Sequence, residues 1–265
     1  MTELKMPSRN QNSNKGTFGK IINFAGSKNY IGAAFLSTVA ALKVGAGYIA
    51  LSSDKGIISS VSKLLPEAVY ITRKDGINNI NDYTVCLIGC GLGKDKQSIK
   101  LLKDVIKNAK IPLIIDADGL NILSSLKLEL PPKTIITPHP IEAARLLKES
   151  PEIILNDTEK AARILSQKYN CITVLKTHRT IVCENESIYI NQHGNSALAK
   201  AGTGDVLAGI IAGLSAQGMT PFEAAKLGVY LHSRSGEIAS EELTEYSVMA
   251  SDIPNYIHKA ISEIL

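Results

Sequence analysis

Short apolar runs alternate with helix-like stretches along most of this chain, and this alternation most constrains what it can fold into. The strand-like runs are KIINFAG, GYIALSS, YTVCLIG, PLIID, TIITP and ITVLK, which begin at residues 20, 47, 83, 112, 134 and 172. They are nearly continuous in apolar residues. Strands with apolar side chains on both faces are typical of a parallel sheet covered by helices on both sides. The pattern therefore predicts an α/β fold with a mostly parallel central sheet.

The segments between and after these runs complete the predicted element order. Helices are expected over residues 33–44, 95–109, 140–148 and 157–169. Two β-like runs, Thr180–Glu184 and Ser187–Asn191, are separated by two residues and predict a hairpin late in the sheet. From Gly204 onward the pattern is almost wholly helical.

No repeat, long linker or low-complexity tract divides the chain, so we expect a single domain over residues 17–265. Residues 1–16 are polar and rich in Asn and Ser, which predicts a flexible N-terminal arm.

Composition excludes several classes of protein. Lys and Arg number 29 against 25 for Asp and Glu, and this excess of 4 is dispersed, so it does not indicate DNA or RNA binding. The four cysteines form no CxxC pair and lack a zinc-ligand histidine spacing, so we interpret them as buried free thiols in a reducing compartment.

The stretch from residue 33 to 51 is interrupted by polar residues and glycines, and the N-terminus has no apolar signal core. We therefore expect a cytoplasmic protein with no membrane partner.

Polar residues follow several of the predicted strands. DADGLN follows the fourth strand-like run and places Asp116, Asp118 and Asn121 there, whereas KTHRT places Lys176 at the end of the sixth. Ligands of open parallel sheets bind beyond the carboxyl ends of the strands. Asp116 and Asp118 could orient Mg²⁺ or a phosphate through water, or they could simply cap a helix. Lys176 could neutralise a phosphate or be an ordinary solvated lysine.

The stretch KAGTGDVLAG joins a glycine-rich turn to an apolar helix. Gly202 and Gly204 let the backbone bend sharply and approach a phosphate, and a helix N-terminus attracts anions. Asp205 lies in the first turn, where it could accept a proton from a substrate hydroxyl. Capping of the helix by Asp205 is the alternative. Gly209 and Gly213 match GxxxG, which in so short an apolar run indicates close packing in a buried core.

His139 lies between two prolines at a strand end, with Glu142 three residues later. This spacing predicts a rigid turn into a helix with Glu142 in its first turn. A surface histidine without a ligand is the alternative, and no second His or Cys nearby indicates a metal site.

The order of these motifs is more specific than any one of them. The succession GSKNYIGAA, ALKVGAGY, GCGLG, DADGLN, TPHPIE, LKTHRT, IYINQHGNSALAKAGTGDVLAGIIAGL and GVYLHS resembles the NAD(P)H-hydrate dehydratase family of the ribokinase-like superfamily. The resemblance covers about residues 16 to 260, and its GNSALAKAGTGDVLAG block is highly specific. It implies a ribokinase-like three-layer α/β/α sandwich. It also implies ADP-dependent, Mg²⁺-assisted dehydration of NADH or NADPH hydrate, with AMP and phosphate as products.

The resemblance further implies roles for individual residues. Asp205 would be the catalytic base and would also contact the hydrate, whose pocket Ala33, Gly91 and His139 would line. The anion hole would be formed by Gly202, Thr203 and Gly204. The nucleotide would be bound by Lys176, Thr177, His178, Arg179, Thr180 and Gly204. Asn121 and Glu142 would neighbour the phosphates, with Glu142 the candidate for a metal contact through water.

The chain departs from the family pattern at three positions. Ile141 stands where PHPGE has glycine, Thr177 follows Lys176 where the family has KG, and Cys90 interrupts GPGLG. The Cβ of Thr177 could obstruct the close approach of a nucleotide that a glycine permits. His178 and Arg179 could compensate by contacting phosphate.

Relatives commonly form homotetramers, and a separate epimerase is an expected partner. Two alternatives stay open: a kinase for a small-molecule hydroxyl, such as a thiamin-precursor alcohol, and a nucleotide-binding protein without turnover.

Overall fold

The computed structural model describes residues 4–265 and contains a nine-stranded sheet between helical layers. The strands are β1 (Lys20–Phe24), β2 (Tyr48–Ser53), β3 (Val69–Thr72), β4 (Val85–Ile88), β5 (Leu113–Ile115), β6 (Ile135–Ile136), β7 (Ile172–Leu175), β8 (Ile181–Glu184) and β9 (Ser187–Ile190). Their spatial order is β3-β2-β1-β4-β5-β6-β7-β8-β9. Strands β1 to β7 pair in parallel, whereas β8 pairs antiparallel with both β7 and β9. The predicted mostly parallel sheet and the late hairpin are confirmed.

Eleven α-helices connect or follow these strands within the described residues. They are α1 (Ile31–Lys43), α2 (Lys55–Val61), α3 (Arg73–Asn78), α4 (Lys96–Asn108), α5 (Asp118–Leu123), α6 (Pro140–Leu147), α7 (Pro151–Asn156), α8 (Thr158–Tyr169), α9 (Thr203–Ala216), α10 (Pro221–Ser247) and α11 (Ile253–Ser262). Side-chain caps define several of their starts. At α4, for example, Asp95 accepts hydrogen bonds from the backbone N–H groups of Gln97 (2.9 Å) and Ser98 (2.8 Å).

The two faces of the sheet have separate apolar cores. Ile22 and Phe24 of β1 face a cluster that contains side chains of α4, α5, α6 and α8. The preceding residue, Ile21, belongs to a second cluster with α1, α9 and part of α10. Successive residues of a strand point to opposite faces, so a strand covered on both sides is apolar at most of its positions rather than at every second one. This explains the continuous apolar runs in the sequence.

Helix α9 lies directly on α1, and its two glycines make this possible. A Cβ added to Gly209 would lie 2.2 Å from the backbone oxygen of Ser37, and one added to Gly213 would lie 2.3 Å from Cγ1 of Val44. Every residue from 206 to 216 is buried. The predicted close packing of GxxxG is confirmed, and it fixes the N-terminus of α9 beside the strand ends.

Residues 4–16 have no regular secondary structure but do contact the domain. Leu4 and Met6 are partly buried against the cluster that includes α10 and α11. The Arg9 guanidinium lies 4.1 Å from the centre of the Phe18 ring and donates a hydrogen bond to the Gly45 carbonyl. The first three residues of the predicted arm lie outside the described residues, and its flexibility stays a prediction.

Across residues 4–265, none of the helices has the combination of length and apolar character that a bilayer crossing requires.

Candidate active site

An ion pair joins the ends of two strands separated by β6. Lys176, which follows β7, places Nζ 2.7 Å from Oδ1 of Asp116, which follows β5. The same Nζ lies 3.9 Å from Oε2 of Glu142, and the Thr137 hydroxyl donates to Asp116 Oδ1 at 2.6 Å. Burial disfavours the lysine charge, but the Asp116 and Glu142 carboxylates outweigh it, so the pKa of Lys176 is raised. Lys176 is therefore a fixed cation at the predicted edge of the sheet, rather than a solvated lysine.

Asp205 occupies the first turn of α9 without capping it. The N-cap is Gly202, whose φ of +95° favours glycine, and no side chain caps this helix. Burial, reinforced by the nearby Asp116 carboxylate, raises the pKa of Asp205 to about 7, while hydrogen bonding with Cys90 and the Lys176 charge act in the opposite direction. A carboxylate with a pKa near the working pH suits a general base.

Cys90 lies between the two aspartates. Its Sγ is 3.8 Å from Oδ2 of Asp116, and the three ligand atoms of Cys90, Asp116 and Asp205 lie within 4.8 Å of one another. Burial, together with both carboxylates, raises the pKa of the thiol well above its usual range, so Cys90 is a protonated donor here.

The Thr203 side chain stabilises the turn before α9, and this turn is open toward Lys176. The Thr203 hydroxyl donates to the carbonyls of Leu198 (2.8 Å) and Lys200 (2.9 Å). A Cβ added to Gly204 would have Lys176 Nζ as its nearest neighbour, at 3.4 Å. The first N–H groups of a helix have no intrahelical partners, and here they lie beside a lysine. The arrangement suits a phosphoryl group.

His139 caps α6 and also faces the site. Its Nδ1 accepts from the backbone N–H of Ile141 (3.1 Å), while its own backbone N–H donates to Glu142 Oε2 (2.9 Å). Burial and the Lys176 charge lower the pKa of His139, so its imidazole is neutral. Burial raises the pKa of Glu142 to about 7, against the opposing effect of Lys176.

One cavity of about 670 Å³ adjoins this cluster, a size in the usual range for small-molecule sites. It brings together most of the predicted nucleotide residues. Its lining includes His139, Lys176, Thr177, His178, Thr180, Thr203 and Gly204. Arg179 is not among the residues that line it; its backbone carbonyl accepts from the Thr177 hydroxyl at 2.7 Å and closes a tight turn.

Four further predicted residues are not among those that line this cavity: Ala33, Gly91, Asp118 and Asn121. Gly91 has φ +59°, and a Cβ there would lie 2.7 Å from the Cβ of Ala33. Asp118 accepts from the backbone N–H of Gly93 at 2.9 Å. Asn121 Oδ1 accepts from Arg145 at 2.6 Å. Ala33 and Gly91 therefore lie side by side, whereas Asn121 is engaged with an arginine. That Ala33, Gly91 and His139 line one hydrate pocket stays a prediction.

Sequence reasoning missed three residues of the far cavity wall. His193 lines the cavity and Glu237 of α10 holds it. His232, also of α10, is buried against the cavity, and burial lowers its pKa to about 4. His193 and His232 lie within two of the motifs quoted above, but these motifs do not indicate that His193 contacts Glu237, which lies 44 residues away in the chain.

A doubly covered parallel sheet, with a carboxylate and an anion-binding helix N-terminus at the strand ends, defines a ribokinase-like α/β/α protein. The family model described as NAD(P)H-hydrate dehydratase matches residues 21–259, and the chain belongs to this family. The predicted family and fold are thus confirmed.

Individual relatives agree with this assignment. The ADP-dependent (S)-NAD(P)H-hydrate dehydratase of Neisseria meningitidis serogroup B is 35% identical over 91% of this chain and 85% of its own. The ADP/ATP-dependent NAD(P)H-hydrate dehydratase of Bacillus subtilis, co-crystallized with ATP/Mg²⁺, superposes with a TM-score of 0.89 at 28% identity, covering 98% of this chain and 95% of that one.

Other relatives are longer. The bifunctional NAD(P)H-hydrate repair enzyme Nnr of Moorella thermoacetica is 32% identical over 96% of this chain but only 51% of its own length. The chain spans about half the length of the bifunctional relatives that it matches.

Proposed function

We propose that this protein dehydrates the hydrates of NADH and NADPH at the expense of ADP, and so restores the reduced cofactors. The observation that carries the proposal is the placement of Asp205. It combines a pKa near neutrality, a position in the first turn of α9, and a buried lysine beside the same turn. Such a site can remove a proton from an alcohol while it binds the phosphoryl group that the alcohol attacks.

The chain's own residues supply binding and proton transfer. Asp205 accepts the hydroxyl proton of the hydrate, and the turn formed by Gly202, Thr203 and Gly204 holds the transferring phosphoryl group. The hydroxyl oxygen bonds to the terminal phosphorus of ADP, and AMP leaves. The ring nitrogen then expels inorganic phosphate as the carbon–oxygen bond breaks. Loss of a proton from the adjacent carbon restores the ring double bond.

Lys176, Thr177, His178, Arg179, Thr180 and Gly204 are the proposed nucleotide residues. Lys176 is already oriented by Asp116, so its charge can meet phosphate without loss of side-chain freedom at the moment of binding. Ala33, Gly91 and His139 are the proposed hydrate contacts. The neutral imidazole of His139 is fixed by the start of α6, which makes it a directed polar group rather than a second charge.

Mg²⁺ fits the oxygen donors present. Glu142 is buried with Oε2 engaged by the His139 backbone N–H, and its carboxylate faces the same lysine as Asp116. Carboxylates reached through water, together with substrate phosphates, are the usual magnesium ligands. We propose that Glu142, with Asp116 and Asp118, holds the ion through water, where it would neutralise charge on the phosphates.

Three further features are proposals. The protein acts in the cytoplasm, it forms a homo-oligomer that we expect to be a tetramer, and a separate NAD(P)H-hydrate epimerase supplies the reactive epimer. Exposed apolar side chains such as Tyr30 and Met249, at 57% and 58% exposure, support an association surface. Light scattering measures the oligomeric state directly.

The decisive experiment is incubation with NADH hydrate and either ADP or ATP. We expect reduced-nicotinamide absorbance to return, with release of AMP and inorganic phosphate when ADP is supplied and no change without nucleotide. A stable phosphate ester of the substrate would show a hydroxyl kinase instead. Nucleotide binding with no loss of hydrate at any nucleotide concentration would show a binding protein without turnover.

A further inference from the structure

The wall of the cavity opposite Lys176 is a loop fastened to one face of α10. Asn191 donates through Nδ2 to the Ser233 hydroxyl at 2.9 Å, and Asn195 donates through Nδ2 to the Ser240 hydroxyl at 2.7 Å. Between them, the backbone N–H of Gly194 donates to Glu237 Oε1 at 2.6 Å. Positions 233, 237 and 240 recur every three to four residues and so share one helix face. The loop is therefore a fixed surface rather than a loose rim.

Within this wall the ring of His193 has a defined orientation. Its Nδ1 lies 3.3 Å from Glu237 Oε2, and its ring meets that of Tyr230 edge to face, with centroids 5.1 Å apart and an interplanar angle of 88°. Glu237 is itself held by Arg234, whose NH1 donates to Oε2 at 3.0 Å. Two contacts from α10 therefore fix the imidazole at the cavity.

Glu237 also determines which ring nitrogen carries the proton. Burial alone would raise the pKa of Glu237, but hydrogen bonds from Gly194, Arg234 and His193 lower it below its usual range, so the group is an ionised acceptor. An ionised carboxylate cannot donate, so Nδ1 of His193 carries the hydrogen. In a neutral imidazole, Nε2 is then an acceptor.

The other polar side chains of this wall are already engaged. Asn195 donates to Ser240 and accepts from the Ala197 N–H at 3.1 Å, and the Ser196 hydroxyl donates to Glu245. Within residues 4–265, two imidazole nitrogens of this wall have no hydrogen-bond partner: Nε2 of His232 is fully buried, whereas the His193 side chain is 41% exposed at the cavity, so Nε2 of His193 is the acceptor that a ligand can reach. The cavity that Lys176 and Gly204 line also reaches His193, so a nucleotide with its phosphates at the start of α9 would place its base against this wall.

We propose that His193 is a specificity-determining residue for the nucleotide base, with Nε2 accepting a hydrogen bond from the exocyclic amino group of adenine. The inference rests on the proposed use of ADP and deepens it by naming the group that distinguishes adenine from hypoxanthine. Inosine diphosphate carries a carbonyl oxygen in place of that amino group, and a carbonyl facing an imidazole acceptor leaves two acceptors opposed.

The test compares dissociation constants of ADP and inosine diphosphate by titration calorimetry without hydrate. We expect the wild-type protein to prefer ADP by about tenfold to a hundredfold. ADP gains one hydrogen bond to Nε2, whereas inosine diphosphate places one acceptor against another, and the two effects together have this range. His193→Phe keeps an aromatic ring against Tyr230 but lacks Nε2. Its preference should fall to near unity, with inosine diphosphate bound at least as tightly as in the wild type, which also confirms that the variant is folded.

Glu237→Gln is a second variant. The Gly194 N–H and Arg234 NH1 donate to different oxygens of Glu237, and a glutamine has only one carbonyl oxygen for them. His193 then loses the acceptor arrangement that places its hydrogen on Nδ1, and the preference for ADP should weaken.

An unchanged ratio in His193→Phe, or a wild-type protein that binds both nucleotides equally, would overturn the inference. Preferential ADP binding that is lost in His193→Phe would support it even if no hydrate were consumed. Failure of the proposed activity is therefore separable from failure of this inference.

Discussion

Asp205 is costly to bury, and the residues around it explain why the chain keeps it there. The carboxyl faces Asp116, a second negative group, while only Lys176 and the Cys90 thiol favour its ionised form. A residue that merely began α9 would cap it, whereas no side-chain hydrogen bond caps this helix and Asp205 hydrogen-bonds with Cys90 instead. The arrangement sacrifices local stability for a base that can exchange a proton near neutral pH.

The first prediction concerns this base. Asp205→Asn should lower the rate of hydrate consumption about 10²–10⁴-fold, the usual contribution of a positioned base, while ADP binding is largely kept. Turnover assays and calorimetry measure the two effects separately. Asp104→Asn is the control, because this carboxyl lies on α4 outside the site, where it pairs with Lys100, so turnover should be unchanged. A near-normal rate in Asp205→Asn would rule out the base assignment.

Sequence reasoning located single residues well where a strand end fixed them. Asp116 and Lys176 are 60 residues apart, yet both follow parallel strands next to β6, so the sequence could place them at one edge of the sheet, although it did not predict their contact at 2.7 Å. The contact between His193 and Glu237 could not, because it depends on how a loop folds back on a helix. Hydrophobic periodicity carries no information about such contacts.

At the scale of elements, the long apolar runs were predictable and the short half-buried ones were not. β3 is a four-residue edge strand that pairs only with β2, and its residues are exposed or half-buried. An edge strand lacks the continuous apolar signature of a central strand. Helices α2, α3 and α7 have only six or seven residues each, which is too short for a helical period to emerge.

The second prediction concerns the contact of α9 with α1. Gly209→Ala should destabilise the protein by about 1–3 kcal/mol, because the new methyl group would collide with the Ser37 carbonyl and displace α1. Urea unfolding measures the change. Gly56→Ala in α2 is the matched control: a Cβ there meets nothing within 4 Å, so helix propensity should stabilise the protein by up to about 1 kcal/mol. Equal effects from the two substitutions would contradict the proposed tight helix contact.

For the whole molecule, the raised pKa of Asp205 links folding to pH. The folded protein keeps this proton up to about pH 7, whereas an unfolded chain loses it near pH 4. Between these values the folded state binds more protons than the unfolded state. The contribution of Asp205 to stability is therefore greatest below about pH 4, falls as the pH rises toward 7, and is constant above that.

The third prediction follows from this sign. Asp205→Asn should raise the free energy of unfolding at pH 8 by on the order of 2 kcal/mol, and the gain should shrink toward pH 4.5. Denaturant unfolding at several pH values measures it. Asp95→Asn is the control of opposite sign, because hydrogen bonds from Ser98 lower the pKa of that carboxyl, so its removal should give no gain at pH 8. A gain from Asp205→Asn that did not depend on pH would indicate relief of packing strain rather than of a buried charge. The combination of lost turnover and gained stability would instead identify Asp205 as a residue kept for catalysis at the expense of folding.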